Sequence, residues 1–149
     1  MNLSSPARDA GALMDAHLAL IGTDIERWLG LFAEDAVVEF PYAPSLGAPE
    51  RLVGREAIRG YFAETPKHFL GLVFSNVRRY LTTDPDVAIA EVHGSATIAL
   101  TGKPYEQDYI LVLKSREGRI VHYREYWDPI LGLRAFGGTE NLQQMVNPS

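Results

Sequence analysis

The sequence predicts an α+β domain: a cone-shaped, curved antiparallel or mixed β-sheet wrapped round three N-terminal α-helices. Three observations carry this. Apolar residues recur at helical spacing in the first part of the chain, from Ser5 to Phe62. From Leu72 to Trp127 the period shortens to that of strands, and helices followed by strands is the α+β pattern. The strand runs are joined by Asp84-Pro85-Asp86, Thr101-Gly102-Lys103-Pro104 and Glu117-Gly118, whose residue types favour tight turns. With 149 residues the chain fits one domain around one core.

The first helix spans Ser5 to Ile21, with Leu13, Ala16, Leu20 and Ile21 on its apolar side and Gly22 as its stop. Thr23 or Asp24 caps a second helix, whose Glu26 faces the positive end of the helix dipole. Its apolar stripe is Ile25, Trp28, Leu29 and Phe32. Ala36 to Phe40 reads as a short strand, and Pro41, Pro44, Gly47 and Pro49 then make a loop. Gly54 precedes a third helix, Arg55 to Phe62, which Pro66 terminates. Four strands follow: Leu72–Leu81, Val87–Leu100, Tyr105–Lys114 and Arg119–Trp127. Gly94, in the middle of the longest, permits a bulge or sharp bend. A bent sheet wrapped round helices leaves a concave face with a cavity at its open end. Gly137 to Ser149 either trails as a tail or closes that mouth.

Composition excludes several function classes. Hydrophobic residues are 46% and charged residues 22% of the chain, ordinary for a globular protein. The net charge of −5 and the lack of any basic run beyond Arg78-Arg79 argue against nucleic-acid partners and anionic membranes. There is no cysteine, so disulfides, thiolate metal sites and Cys nucleophiles are ruled out. Met1 to Gly11 shows no secretory signal, and no apolar run reaches membrane-span length; the expected location is cytoplasmic. No two histidines have the H-x-x-x-H spacing, and no phosphate loop, dinucleotide fingerprint or nucleophile elbow occurs. No metal and no cofactor are therefore expected.

The run Leu31-Phe32-Ala33-Glu34-Asp35-Ala36-Val37-Val38-Glu39-Phe40-Pro41, then Gly54-Arg55-Glu56-Ala57-Ile58, resembles the nuclear transport factor two-like (cystatin-like) superfamily. That superfamily includes ketosteroid isomerase, SnoaL-type polyketide cyclases and the phenazine-biosynthesis A/B proteins. Arg124-Glu125-Tyr126-Trp127-Asp128-Pro129 and Leu133-Arg134-Ala135-Phe136-Gly137 look most similar to the phenazine A/B and SnoaL-like branch. The resemblance implies a single SnoaL-like domain over residues 1–149, a pocket for a small apolar organic ligand, and a homodimer formed through the outer sheet face. Against ketosteroid isomerase, Phe40 stands at the general-base position and Ala16 near the oxyanion tyrosine; neither can do that chemistry. Asp108 matches the second oxyanion donor. Against the phenazine proteins, Glu125 matches an acid–base glutamate and Tyr61 replaces a histidine.

The residues themselves support part of this. Val121, Tyr123, Glu125 and Trp127 share one strand face. A carboxyl group on an apolar concave wall loses hydration, which raises its pKa into the range useful for a general acid or base. The bland alternative is an ion pair at the cavity rim. Asp108 shares its face with Ile110 and Val112; the resemblance makes that face concave, so that Asp108 and Glu125 would divide the acid and base roles. An edge carboxylate in solvent is the alternative. His93 shares a face with Ile89, Glu91, Ser95 and Thr97, a mixture that suits a pocket wall as well as a structural histidine. Glu125, Asp108 and His93 are thus the catalytic candidates. Tyr61, Tyr123, Trp127, Phe40, Trp28, Glu91 and Ser95 are the candidates for ligand contact. His17, His68 and His122 rank lower, with His122 on the outer face beside Arg124 and Tyr126.

Two readings of function follow. One is a cofactor-independent acid–base enzyme (isomerase, cyclase, dehydratase or condensing type) acting on an apolar carbonyl-bearing or cyclic metabolite. The other is a non-catalytic ligand-binding or dimeric interaction protein of the same fold. Convergence of Glu125, Asp108 and His93 on one cavity point favours the first; an apolar pocket with scattered polar groups favours the second.

Overall fold

In a computed structural model describing residues 8–138, short acidic side chains start the first two helices. Asp9 accepts a hydrogen bond from the Ala12 amide and begins α1 (Ala10–Leu20). Asp24 accepts from Arg27 N and begins α2 (Ile25–Leu29). Each satisfies an amide that the first helical turn leaves without a partner. The inward face of α1 is Ala10, Leu13, Met14 and His17, so Ala16 and Leu20 lie beside that stripe and His17 joins it.

Strand β1 runs Phe32–Glu39, four residues earlier than its apolar pattern suggests. Its pairing is irregular between Phe32 and Val37, which explains why only the later part reads as a strand. The Pro- and Gly-rich stretch after it contains a 3-10 turn, Ala43–Leu46, and a short strand β2, Arg51–Val53, paired antiparallel to β1. Helix α3 spans Arg55–Phe62, with Ile58 and Phe62 buried. Pro66 does not end it: Pro66 lies in the first turn of a further short helix, α4, Thr65–His68, where a missing N–H costs nothing.

Four strands follow, β3 (Phe69–Tyr80), β4 (Val87–Ile98), β5 (Pro104–Arg116) and β6 (Arg119–Tyr126). A final helix, α5 (Pro129–Phe136), has no counterpart in the sequence reading. Asp128 caps it, Pro129 sits in its first turn, and Gly137 closes it at φ 77°. The sheet order is β2-β1-β6-β5-β4-β3; β1 and β6 are parallel and the remaining neighbours antiparallel. The sheet is mixed and open. Gly94 is not at a bulge, because β4 and β5 stay in continuous register through it. The register shifts nearest to it lie between β3 and β4, on either side of the Phe74–Gly94 pair.

Helices α1, α2 and α3 pack on the concave face. Trp28, Leu13, Met14, Phe32 and Ile58 meet Ala90, Val92, Leu111, Leu113 and Tyr123 in one buried cluster. Each large apolar side chain buried there contributes about 1.5–3 kcal/mol. Gln107, almost wholly buried, donates to Asp128 O and accepts from Asp128 N at 2.8 and 3.0 Å. That reciprocal pair fixes the corner from which α5 folds over the open end of the sheet. Residues 139–149, most of the segment left between tail and closing element, lie outside the described residues. Among the described residues, no helix is long and apolar enough to cross a membrane.

Candidate active site

Alternation along β5 and β6 decides which side chains face the helices. On β6, Tyr123 and Glu125 are buried and the residues between them are not. On β5 the buried set is Tyr105, Gln107, Tyr109, Leu111, Leu113 and Ser115. At the open end these strands, the loop after β1, α3, β3 and α5 enclose a pocket walled by aromatic rings. Phe40, Tyr61, Tyr105, Tyr109, Trp127 and Phe136 are among its lining residues, and Glu125 is the one carboxylic acid among the described residues that line it. Among the described residues, no Lys, Arg or His lines it. Gly94 lies beneath two of the rings: a Cβ there would stand 2.9 Å from Tyr109 Cε2 and 3.3 Å from Phe74 Cε1. Glycine at this point lets the rings lie against the strand.

Glu125 is 9% exposed, and burial pushes its carboxyl group up to about 7. A hydrogen bond from Tyr123, at 2.9 Å to Oε1, opposes part of that rise. Behind Tyr123 lies His17, with its Nε2 2.9 Å from the phenol oxygen. Behind His17 lies Trp28, whose indole Nε1 donates to His17 Nδ1 at 2.9 Å. His17 is fully buried, and burial lowers its pKa to about 3, so the ring is neutral. Across the pocket, the hydroxyls of Tyr105 and Tyr109 lie 2.7 Å apart. That contact uses one of their two protons. Burial pushes Tyr105 up to about 12 and raises Tyr61 and Tyr109 as well, so all three are hydroxyl donors at neutral pH. A raised carboxyl facing neutral phenols can take a proton from carbon while the phenols hydrogen-bond the oxygen that gains charge. Among the described residues, no three His, Asp or Glu side chains group as metal ligands.

The pocket brings together Glu125, Tyr61, Phe40 and Trp127 from the sequence-derived set. It does not bring in Asp108 or His93. Asp108 points out of the sheet with its side chain 91% exposed, and its carboxylate meets His93 Nδ1 at 2.8 Å on the outer face. The other His93 nitrogen meets Glu106 at 2.7 Å, and Ser95 donates to the same Glu106 oxygen. Glu91 is likewise outside, accepting from Tyr80. The physical reason is the pleat: His93 pairs with Asp108 and Ser95 with Glu106, and directly opposed residues share a face. The two-carboxylate arrangement of Asp108 with Glu125 is therefore corrected. Trp28 and Tyr123 are not pocket walls either; they form the buried layer behind Glu125. His122 lies on the outer side, hydrogen-bonded to Glu39.

Tyr105 and Tyr109 escaped the sequence reading as site residues, and His17 was ranked too low. The tyrosines were legible as the inward alternation of β5 about Gln107. His17 was legible as the residue four after Leu13 and three after Met14 on the buried face of α1.

Comparison with known proteins fits this geometry. A family model described as a SnoaL-like domain matches residues 13–123. The chain is 42% identical over 123 residues to an uncharacterized PhzA/B-like protein of Pseudomonas aeruginosa, covering 83% of this chain and 86% of the other. A Bacillus subtilis structure provisionally described as an isomerase superposes with a TM-score of 0.79 at 40% identity, covering 87% and 93% of the two chains. A phenazine biosynthesis-related protein from P. aeruginosa superposes with a TM-score of 0.76 at 22% identity, covering 87% and 85%; this last likeness is one of fold.

Proposed function

The chain belongs to the SnoaL-like family, with PhzA/B-like relatives, and from that premise we propose that it is a cofactor-independent acid–base enzyme acting on a small apolar carbonyl compound. The observation that carries the reading is Glu125, a buried carboxyl raised to about 7 in a pocket whose other described lining is aromatic, aliphatic and hydroxyl-bearing. In its ionised form Glu125 takes a proton from the carbon beside the carbonyl. The electron pair moves into the carbonyl oxygen, which accepts a hydrogen bond from the Tyr105–Tyr109 pair or from Tyr61. Returning the proton to a different atom isomerises the compound; attack by the enolate carbon on an electrophile within the same molecule cyclises it. Apolar walls strengthen each of these interactions by excluding water. The Bacillus subtilis relative's description as an isomerase is consistent with this chemistry.

The test is deuterium wash-in. Small cyclic and aromatic ketones are incubated with the protein in D2O and followed by proton NMR. Exchange at the carbon beside the carbonyl is expected with the wild type, slowed by about 100-fold or more in Glu125→Gln. Ketones that raise the melting temperature equally in both proteins, with no exchange in either, would support the second reading, a ligand-binding protein. That reading draws on the absence of His93 and Asp108 from the pocket.

The outer face of the sheet, carrying the exposed Val73, Tyr80 and Ile110, is the surface through which a homodimer would form. Light scattering that gives a monomer mass at micromolar concentration sinks that part.

A further inference from the structure

We propose that His17 is a positioning residue: held as the neutral tautomer with its proton on Nε2, it turns the Tyr123 hydroxyl so that Tyr123 donates to Glu125 Oε1, leaving Oε2 as the oxygen that exchanges protons with a ligand. The purpose of that exchange rests on the acid–base reading above; the hydrogen-bond order does not.

The order follows from valence. An indole N–H can only donate, so His17 Nδ1, 2.9 Å from Trp28 Nε1, must be the acceptor. A neutral imidazole with an accepting Nδ1 carries its proton on Nε2. That proton points to Tyr123 Oη at 2.9 Å, which makes the phenol oxygen an acceptor on that side. The phenol has one proton, and it goes to Glu125 Oε1. An imidazolium would put an N–H against the buried indole N–H and leave both without an acceptor. Burial and Trp28 therefore act together to keep His17 neutral. The order also survives protonation of Glu125, because Oε1 still accepts from Tyr123 while the acid proton sits on Oε2.

The titratable groups facing Glu125 are Tyr123 on its own strand, Tyr61 from α3, and Tyr105 and Tyr109 from β5; His17 reaches it from α1 through Tyr123. All are neutral, so among the described residues the Tyr123 hydrogen bond is the one interaction that favours the charged form of Glu125 against burial. Linked donors polarise one another, and a donor behind Tyr123 makes its hydroxyl a stronger donor to Glu125.

Two NMR measurements on the whole protein test this without a substrate. In the first, long-range nitrogen spectra of uniformly 15N-labelled protein report the tautomer and charge of each histidine. The His17 signal is assigned by its loss in His17→Gln. It is expected to stay neutral, with the proton on Nε2, from pH 5 to 8. Titration near 6.5, or a proton on Nδ1, overturns the proposal.

In the second, the side-chain carboxyl of Glu125, assigned through Glu125→Gln, is titrated by carbon NMR. Tyr123→Phe is expected to titrate about one to two pH units above wild type. His17→Leu should move in the same direction, and His17→Gln, whose amide can still donate towards Tyr123, should stay near wild type. A folded His17→Leu that titrates like wild type overturns the positioning role. If that variant does not fold, the wild-type nitrogen spectrum decides. Ketones that show no exchange while tautomer and titration come out as expected would remove the enzyme reading alone.

Discussion

Tyr123 and Glu125 stand two residues apart on the same face of β6, and the phenol of the first donates to the carboxylate of the second at 2.9 Å. Neighbours at that spacing point the same way along a strand, so one short stretch of sequence supplies both an acid and the donor that moderates it. Burial outweighs the donor, and Glu125 reaches about 7.

That balance predicts a pH-dependent stability. The folded state binds a proton at Glu125 that the unfolded chain has released, so stability falls as pH rises from about 4.5 to about 7. The loss is about 3 kcal/mol at most. Glu125→Gln escapes it. Urea unfolding should show the variant gaining on wild type between pH 5 and pH 8; a difference that stays constant with pH would mean that Glu125 titrates like an exposed glutamate.

His17 predicts the opposite slope. Its folded pKa of about 3 lies below the ordinary 6.5, so the unfolded state takes up a proton that the folded state refuses. Stability is complete above 6.5 and falls as pH drops towards 3, by about 5 kcal/mol as an upper bound. Thermal melts from pH 7 to pH 4 should fall more steeply for wild type than for His17→Gln. Parallel curves would place the acid sensitivity elsewhere.

Gly94→Ala should cost about 1–3 kcal/mol, because its Cβ would press on the rings of Tyr109 and Phe74. Near-ultraviolet circular dichroism should change with it, reporting displaced tyrosine. An unchanged spectrum and midpoint would show that the rings yield freely.

Outer-face changes should leave the pocket alone. Hydrogen bonds to Asp108 and then to Glu106 raise the His93 pKa, so their contribution to stability is full below about 6.5 and fades as pH climbs through the raised value. Asp108→Asn should remove part of that contribution and leave deuterium exchange within about twofold of wild type. A large loss of exchange in this variant would mean that the outer cluster communicates with the cavity.

What was legible follows from period and parity. The four long strands, α3 and Glu125 are visible because apolar alternation and helical spacing mark them directly. Asp108 was misplaced by one residue of pleat: resemblance locates a strand along the chain, yet a shift of one residue exchanges inside for outside. Tyr109, its neighbour, holds the inward position. Helix α5 was missed although Asp128-Pro129 is a good cap and first turn; α3 is equally long but mixes charged with apolar residues, whereas α5 carries a single charge, Arg134, and shows no one-sided apolar stripe. The partners of His17 were beyond reach, because Tyr123 is 106 residues away and no local pattern encodes so distant a contact.

The parallel pairing of β1 with β6 has a consequence for how the molecule is born. β1 leaves the ribosome before β3, β4 and β5, but its partner β6 follows all three, and α5 emerges later still. The entropy of closing so long a loop must be met before that pairing gives anything back, which makes folding slow. Until then β1 has only the three-residue β2 beside it, and the unfilled edge is exposed to other chains. A nascent chain that stops short of β6 lacks Glu125 as well as the strand. Glu125 and completion of the sheet therefore arrive together, once β6 has emerged.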